Sequence, residues 1–397
     1  MIQVLETSGS PFAMGRQQGE ACRDALGPMY DGLRALPLAP SWLPAGVHQV
    51  ALKAAVAVGG AVYLKRHRGL LSDHAGGRYL DALDGLAQGF GVRPAQLYGF
   101  NAFEIESANP SIRLGCTALA FSAERTAAGA PLLAYNHDFP PSFERFLVLR
   151  RSRPDDAAAS LSVTYPAMVG AIAGVNQHGL ALTVNQAFAT DIDRRKAALL
   201  VTLLAQECLD ACHDVAEAVQ LIKRTPVTNG GLITLVDASG ARAVVELSAT
   251  RRKPRLPSDD AILYAFNKYL LPELQHVEVP VGAITTGIGA GYDIHATNIE
   301  RERRYLEILR DGHAYSQNDI RALLADHDNG SGGMNTICCH GDALNMTIMH
   351  ALIDPRARAI KLIVGRTCQG EYELHALDTR AAAEETQRGA DSALPAV

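Results

Sequence analysis

Apolar residues recur at helical spacing in the first third of the chain and in shorter, strand-like runs afterwards. Residues 14–36, 44–71 and 75–90 carry apolar side chains every three or four positions, which predicts helices. From Gly115 onward the apolar runs are short and are separated by turn residues, which predicts strands and hairpins. These runs cover residues 116–122, 131–138, 146–151, 160–165, 168–173 and 180–186.

The second half of the chain continues this mixed pattern. Helices are predicted over 194–223, 297–311 and 316–325, the last with Ser316 as its N-cap. Strands are predicted over 231–236, 241–248, 261–266, 346–353, 359–364 and 371–376. Hairpin-linked strands with helices in separate blocks predict an α+β fold, in which two antiparallel sheets stack face to face with helices outside.

Composition and charge exclude some classes of partner. The formal net charge of -5 offers no electrostatic basis for binding nucleic acid or an anionic membrane. Residues 45–64 are apolar, but His48, Gln49 and Lys53 interrupt them, which favours a buried amphipathic helix over a membrane span. Residues 1–20 lack the basic and then apolar pattern of a signal peptide, so we expect a cytoplasmic protein.

The seven cysteines do not predict a disulfide framework or a zinc finger, because no CxxC pair or repeated spacing is present. Cys208, Cys212 and His213 are close in sequence, but nothing completes a ligand set, so core packing is favoured. Residues 338–340 read Cys-Cys-His, and adjacent cysteines seldom bind one metal or bridge each other. We therefore expect no metal and no organic cofactor.

One candidate for covalent chemistry stands where the helical pattern changes to the strand pattern. Gly115 leaves its own carbonyl sterically open, so the thiol of Cys116 is able to attack it and free a new N-terminus at Cys116. An α-amino group has an unperturbed pKa of about 7.7–8.0, which suits it to serve as the base for its own thiol. Taken alone, a Gly-Cys pair is more often a buried structural cysteine.

Polar residues at three predicted strand ends complete a possible site. Asp138 ends the strand after Cys116, and alternation allows at most one of His137 and Asp138 to point at the thiol. Asn185 and Asn267 end later strands, where an amide N–H is able to stabilise an oxyanion. Each of these residues also fits an ordinary turn or strand-end cap.

The order of these features resembles the acyl-coenzyme A:6-aminopenicillanic acid acyltransferase family, relatives of the choloylglycine hydrolases. The resemblance covers nearly the whole chain short of the tail, and it depends on the ordered set of motifs. Those motifs are residues 9–20, 115–117, 136–139, 174–185, Asn267, 336–338, 354–355 and 365–368. The resemblance implies a four-layer αββα N-terminal-nucleophile hydrolase sandwich with a helical N-terminal segment, made as a precursor and cut before Cys116.

The resemblance also implies a division of the chain and roles for its residues. Residues 1–115 would form a helical α-subunit segment and 116–378 the catalytic β-subunit, followed by a disordered tail over 379–397. Cys116 is expected to be the nucleophile and Asp138 its positioning carboxylate, with Asn267 and Asn185 stabilising the oxyanion. Substrate contacts are expected from Thr117, His137 and Lys268. Lys268 departs from the Thr-Asn-His common in the family, and Cys339 stands where penicillin-type members have an arginine.

These expectations define one preferred function and two alternatives. The preferred function is a self-processing cysteine amidohydrolase that cleaves a linear amide of a small molecule through a thioester acyl-enzyme. The first alternative is an acyltransferase that moves an acyl group from a thioester or amide to an amine. The second is an uncleaved, catalytically silent relative that binds a small ligand. The expected partners are the small-molecule substrate and, after cleavage, the two fragments of the same precursor.

Overall fold

A computed structural model describes residues 1–34, 36, 45–102, 115–193, 195–258, 262–284, 291–328 and 330–378 of the chain. The tail predicted over 379–397 lies outside these ranges.

Two β-sheets form the centre of the molecule. Their strands are β1 (Gln3–Gly9), β2 (Gly115–Phe121), β3 (Leu132–Phe139), β4 (Val148–Pro154), β5 (Ser160–Thr164), β6 (Ala173–Asn176), β7 (Leu180–Gln186), β8 (Gly231–Asp237), β9 (Arg242–Leu247), β10 (Arg252–Arg255), β11 (Leu263–Ala265), β12 (Met346–Asp354), β13 (Ala359–Val364) and β14 (Glu373–Ala376). The eight-stranded sheet has the order β1-β4-β5-β6-β7-β8-β9-β10, and the six-stranded sheet has the order β11-β2-β3-β12-β13-β14. Neighbouring strands are antiparallel except β1 and β4, which are parallel.

The described residues form ten α-helices, several of which pack on the outer faces of the sheets. They are α1 (Pro11–Ala21), α2 (Leu26–Arg34), α3 (Ala45–Asp73), α4 (Arg78–Phe90), α5 (Pro94–Asn101), α6 (Val201–Ala211), α7 (Val215–Arg224), α8 (Pro272–Gln275), α9 (Ala296–Ile308) and α10 (Gln317–Leu324). Helices α6 and α7 pack on strands β6 to β9, and α10 packs on β3 in the other sheet. Strands β2 and β3 face β7 and β8 across the middle of the molecule. This order of layers confirms the predicted α+β αββα sandwich.

The strand that begins at Gly115 contributes to two different cores, because its side chains alternate between its two faces. Cys116, Ala118 and Ala120 belong to the core between the sheets. Leu119 and Phe121 pack into a second cluster with Tyr305 and Tyr315, beneath the outer helices. Both faces of β2 are therefore buried, which explains its continuous apolar sequence.

Two predicted elements differ from the structure. The single helix predicted over 194–223 is two helices, α6 and α7, because the Asp214 side chain accepts the backbone N–H of Glu217 and caps α7. The strand predicted over 168–173 is wrong for most of its length, since β6 begins only at Ala173.

The N-terminal segment also differs from its prediction. It was expected to be helical, yet it contributes the strand β1 to the edge of the eight-stranded sheet. Helix α3 contains the helix predicted over 45–64, but not all of its apolar side chains are buried, since Val50 and Val58 are 71% and 63% exposed. Within the described residues, no helix combines the length and the apolar character that crossing a lipid bilayer requires.

Candidate active site

Cys116 is the second residue of β2, and its thiol faces the space between the two sheets. It pairs with His137 in the β2–β3 ladder, while Gly115 pairs with Asp138. The residue is buried, with 4% of its surface exposed, but it lines a cavity between the sheets. A cysteine at a strand start beside a cavity is accessible to a small ligand without being open to bulk solvent.

Side chains hold the backbone of Cys116 on both sides. Its N–H donates to Oδ1 of Asn267 at 2.7 Å, and its carbonyl oxygen accepts from Nη1 of Arg301 at 2.6 Å. The other guanidinium nitrogen of Arg301, Nη2, donates to the same Asn267 oxygen at 2.9 Å. Because the oxygen receives two donors, the amide orientation of Asn267 is fixed. The position of the Cys116 main chain is therefore set by two buried residues distant in sequence.

Two tyrosines and a histidine surround the sulfur of Cys116. The Tyr135 hydroxyl lies 3.2 Å from Sγ, and Nδ1 of His137 lies 3.7 Å from it. The other ring nitrogen of His137 is 3.1 Å from the hydroxyl of Tyr165. Burial lowers the pKa of His137 to about 3, so the ring is neutral at physiological pH. The histidine is positioned at the thiol as a neutral hydrogen-bonding group.

The thiol of Cys116 is protonated in the uncut chain. Burial raises its pKa to about 11, and the charge of Asp138 adds to the rise. The hydrogen bond from Tyr135 and the charge of Arg301 act in the opposite direction but are weaker. Thiolate is the nucleophilic form of cysteine, so this thiol needs a base close to it.

Asp138 lies against the bond that precedes Cys116. A methyl group added to Gly115 would lie 2.6 Å from Oδ2 of Asp138. The other carboxylate oxygen, Oδ1, accepts from the hydroxyl of Thr347 at 2.6 Å, and Nη1 of Arg301 lies 3.9 Å from Oδ2. Burial raises the pKa of Asp138 to about 6, although Arg301 and Thr347 act to lower it. A carboxylate is thus held directly beside the Gly115–Cys116 junction.

Arg301 was not among the residues that the sequence singled out. It lies on α9 and is fully buried, and it also donates to Oγ1 of Thr117 and to Oδ1 of Asn298, each at 2.9 Å. In the sequence it stands within a run of charged residues, 300–304, which is typical of a solvated helix face. The one available signal was its spacing, since residues three apart on a helix share a face and Asn298 stands three positions earlier.

Asn185 and Asn267 both lie near the junction, with different hydrogen-bond partners. Nδ2 of Asn267 donates one hydrogen to the carbonyl of Gln186 at 2.8 Å and has a second hydrogen to donate, but Asn267 is not among the described residues that line the cavity. Nδ2 of Asn185 donates to the carbonyl of Ala265 at 3.1 Å, and its Oδ1 has no partner among the described residues. Asn185 lines the cavity. Their roles at an oxyanion stay predictions.

Two of the expected substrate contacts have other partners in the structure, and their roles toward a substrate stay predictions. Thr117 follows Cys116 on β2, so alternation points it away from the cavity and toward Arg301. Lys268 forms an ion pair with Glu302 on α9. Neither residue is among the described residues that line the cavity, whereas His137 is. Of residues 137 and 138, His137 points at the thiol, as alternation allows, with Nδ1 3.7 Å from Sγ, whereas the carboxylate of Asp138 accepts from Thr347 and lies beside Gly115.

The cavity at Cys116 has a volume of about 120 Å³ and mostly apolar walls. Phe139 and Phe143 lie on the catalytic side of the chain. Met29, Leu33 and Phe100 come from the segment before Cys116. The two parts of the chain therefore build the cavity together.

A comparison with protein families gives one match. The profile of the acyl-coenzyme A:6-aminopenicillanic acid acyl-transferase family matches residues 125–369, more than half of the chain. The chain belongs to this family. It is accordingly an enzyme of the amidohydrolase and acyltransferase class. The match includes Asp138, Asn185, Asn267 and Arg301, but it begins after Cys116, whose assignment therefore depends on the geometry above.

Solved structures similar to the chain include three amide-cleaving proteins. An N-acylethanolamine-hydrolyzing acid amidase ortholog from Caenorhabditis elegans has a TM-score of 0.40 and 12% identity, with 61% of this chain and 93% of that chain covered. A variant of conjugated bile acid hydrolase from Clostridium perfringens has a TM-score of 0.39 and 12% identity, with 66% of this chain and 97% of that chain covered. Penicillin V acylase from Agrobacterium tumefaciens has a TM-score of 0.35 and 15% identity, with 67% of this chain and 89% of that chain covered. No curated protein sequence matches the chain.

Proposed function

We propose that the chain is a self-processing cysteine N-terminal-nucleophile amidohydrolase that cleaves a linear amide of a small molecule. The observation that carries the proposal is the enclosure of the Gly115–Cys116 junction. Asn267 and Arg301 hold the backbone of Cys116, and Asp138 lies against Gly115. A structural cysteine has no need of a buried arginine and a buried carboxylate at its own peptide bond.

Self-processing begins with attack of the Cys116 sulfur on the carbonyl carbon of Gly115. The bond between that carbon and the nitrogen of Cys116 breaks, and the thiol proton goes to the nitrogen, which becomes an α-amine. Water then hydrolyses the resulting thioester, which restores the thiol and releases the carboxylate of Gly115. Oδ1 of Asn267, which accepts the amide N–H in the uncut chain, remains an acceptor for the new amine. Asp138 supplies the negative charge that favours the protonated form of this amine.

In turnover the α-amine and the thiol of Cys116 act together. The amine, with an unperturbed pKa of about 7.7–8.0, accepts the thiol proton as the sulfur attacks the substrate carbonyl. The free hydrogen on Nδ2 of Asn267 is available to the oxyanion, and Asn185 is a second candidate. The departing amine takes the proton back, and water hydrolyses the thioester through the same base.

The walls of the cavity favour an apolar acyl group in the substrate. The volume of about 120 Å³ is close to the apolar cavity of about 150 Å³ that binds benzene in an engineered protein. Phe139 and Phe143 offer aromatic faces, and Met29 and Leu33 offer aliphatic ones. We therefore propose an acyl group of the size of one phenyl ring, with the leaving amine directed out of the cavity.

Intact mass spectrometry of the purified protein tests the proposal. We expect two fragments, the second beginning at Cys116, whereas Cys116→Ala should give one folded, uncut and inactive chain. Cys208→Ala, which alters a buried cysteine of α6, is the matched control and should be cut normally. A persistent full-length wild-type chain, or amide hydrolysis by Cys116→Ala, would contradict the proposal.

A second assay distinguishes hydrolysis from acyl transfer. A phenylacetyl thioester and a phenylacetyl anilide serve as donors, with and without an added primary amine. Hydrolysis is preferred because water needs no second binding site, so we expect free acid as the main product. A main product in which the acyl group is attached to the amine would favour the acyltransferase alternative.

A further inference from the structure

Four side chains that the proposed reaction does not use converge beside the six-stranded sheet. His327, Cys338, His340 and Cys368 each offer a ligand atom, and these atoms all lie within 4.8 Å of one another. Nε2 of His340 lies 3.3 Å from Sγ of Cys368. Nε2 of His327 is buried and has no partner among the described residues. Two thiols and two imidazoles are thus gathered around one point.

The backbone on either side of these residues is held in place. The N–H of Cys338 donates to the carbonyl of Asp326 at 3.1 Å, which fixes the residue before His327 beside it. Asn136 joins the other two segments, since its Nδ2 donates to the carbonyl of Ile337 at 3.2 Å and its Oδ1 accepts from Thr367 at 2.8 Å. Ile337 and Thr367 each precede a cysteine of the cluster. The buried Asn136 side chain therefore sets the separation of the two cysteines.

We propose that these four residues form a structural binding site for Zn²⁺ or a chemically similar divalent ion. Thiolate and imidazole are the ligands that zinc prefers, and a Cys₂His₂ set closes its tetrahedral shell without an open position. The expectation of no metal site failed to anticipate this cluster because Cys338 and His340 were considered next to Cys339. The set is completed by His327 and Cys368, which are distant in sequence.

Binding of the ion has a defined proton balance. Both thiols lose a proton to solvent, so two thiolates neutralise the dication. Arg366 lies 3.3 Å from Nδ1 of His340, and because arginine only donates, that nitrogen is the acceptor and Nε2 carries the proton. Coordination through Nε2 moves this proton to Nδ1 and ends the contact with Arg366. Arg366 therefore opposes loading, and its removal should tighten binding.

The site would brace the loop that supports Asp138. Cys339 stands between two ligands, and its N–H donates to Oγ1 of Thr347 at 2.8 Å. The same hydroxyl donates to Asp138 at 2.6 Å. Fixing Cys338 and His340 thus fixes the group that orients the carboxylate beside Cys116. The metal has a structural role and does not touch the reacting atoms.

Metal content of the whole protein tests the proposal. The protein is produced in zinc-supplemented medium without a polyhistidine tag, purified without chelators and analysed for metals by mass spectrometry. We expect one equivalent of zinc per chain, falling at least tenfold in His327→Ala and Cys368→Ser. Cys212→Ser, which changes a buried cysteine outside the cluster, should retain the metal. Arg366→Gln should bind zinc more tightly in competition with a chromogenic chelator.

Wild-type protein alone gives a second test if the variants do not fold. After chelation and reloading with Co²⁺, a tetrahedral thiolate site gives strong visible absorption, which zinc should then remove. Absence of stoichiometric zinc and of the cobalt spectrum in wild type would overturn the proposal. So would equal zinc in wild type and folded His327→Ala, or a Cys338–Cys368 disulfide found by non-reducing peptide mapping.

Discussion

Arg301→Met should destabilise the protein far more than Arg303→Met, although both residues lie on α9. Arg301 is fully buried and donates to Cys116, Thr117, Asn267 and Asn298. Arg303 is 43% exposed, and its partners are half-exposed carboxylates. The two substitutions remove the same charge and add the same side chain. Only the substitution of Arg301 leaves buried acceptor groups without their donor.

The structure sets the size of the difference. Loss of Arg301 leaves the carbonyl of Cys116 and the hydroxyl of Thr117 without this donor, and it removes the nearby positive charge from buried Asp138. Breaking such a buried set from one side costs about 3–5 kcal/mol of unfolding free energy. Exposed ion pairs contribute only about 0–1 kcal/mol, so Arg303→Met should cost less than about 1 kcal/mol. A loss of the larger size is a large part of the roughly 5–15 kcal/mol that stabilises a typical domain.

Urea unfolding followed by circular dichroism measures both changes. Every variant carries Cys116→Ala, so that each unfolds as one uncut chain and the free energies are comparable. Similar losses for Arg301→Met and Arg303→Met would refute the conclusion that Arg301 organises the nucleophile's backbone. A large loss for Arg301→Met with full retention of stability in Arg301→Lys would show that charge matters more than the fork of hydrogen bonds.

Two further predictions concern the carboxylate beside the junction. The folded-state pKa of Asp138 is raised from 3.8 to about 6, so this residue's contribution to stability is full below about pH 4 and is lost as pH rises through 6. In the Cys116→Ala background, the unfolding free energy in urea should decrease between about pH 4 and pH 7, and Asp138→Asn should make this decrease smaller by on the order of 2–3 kcal/mol. An equal decrease with and without Asp138→Asn would show that other groups cause it. Gly115→Ala places a methyl group 2.6 Å from Oδ2 of Asp138 and should slow self-cleavage about 10- to 100-fold by displacing the carboxylate from Thr347. Gly27→Ala, whose methyl group meets no atom within 4 Å, is the control, and equal rates of fragment appearance in the two variants would contradict this account.

The sequence predicted the layers and placed Cys116 at the start of a strand because those features are local. The change from helical spacing to short strands near Gly115 is visible in the chain, and β2 begins there. The return of β3 beside β2 follows from a short hairpin, which brings Asp138 opposite Gly115. These relations need no knowledge of distant packing.

The parts that escaped prediction depend on contacts between residues far apart in the chain. Arg301 approaches Cys116 only because α9 packs on the outer face of the sheet, and its flanking charges conceal it in the sequence. The ion pair of Lys268 with Glu302 is a tertiary contact that the sequence alone does not show. The strand β1 was missed because an edge strand with one exposed face lacks a long apolar run. His327 and Cys368 are distant in sequence and come close to Cys338 and His340 only because three loops meet in the fold.

If the chain is cut before Cys116 as proposed, the cavity wall built from both sides of that residue has a consequence for how the cut protein loses its structure. Cutting the chain there leaves β1 paired with β4 and Met29 still inside the wall, so the pieces separate only when the whole structure opens. Recovery then requires two molecules to meet, and it becomes dependent on concentration. The lifetime of a chain cut at the proposed site would therefore be governed by the rate at which the structure opens.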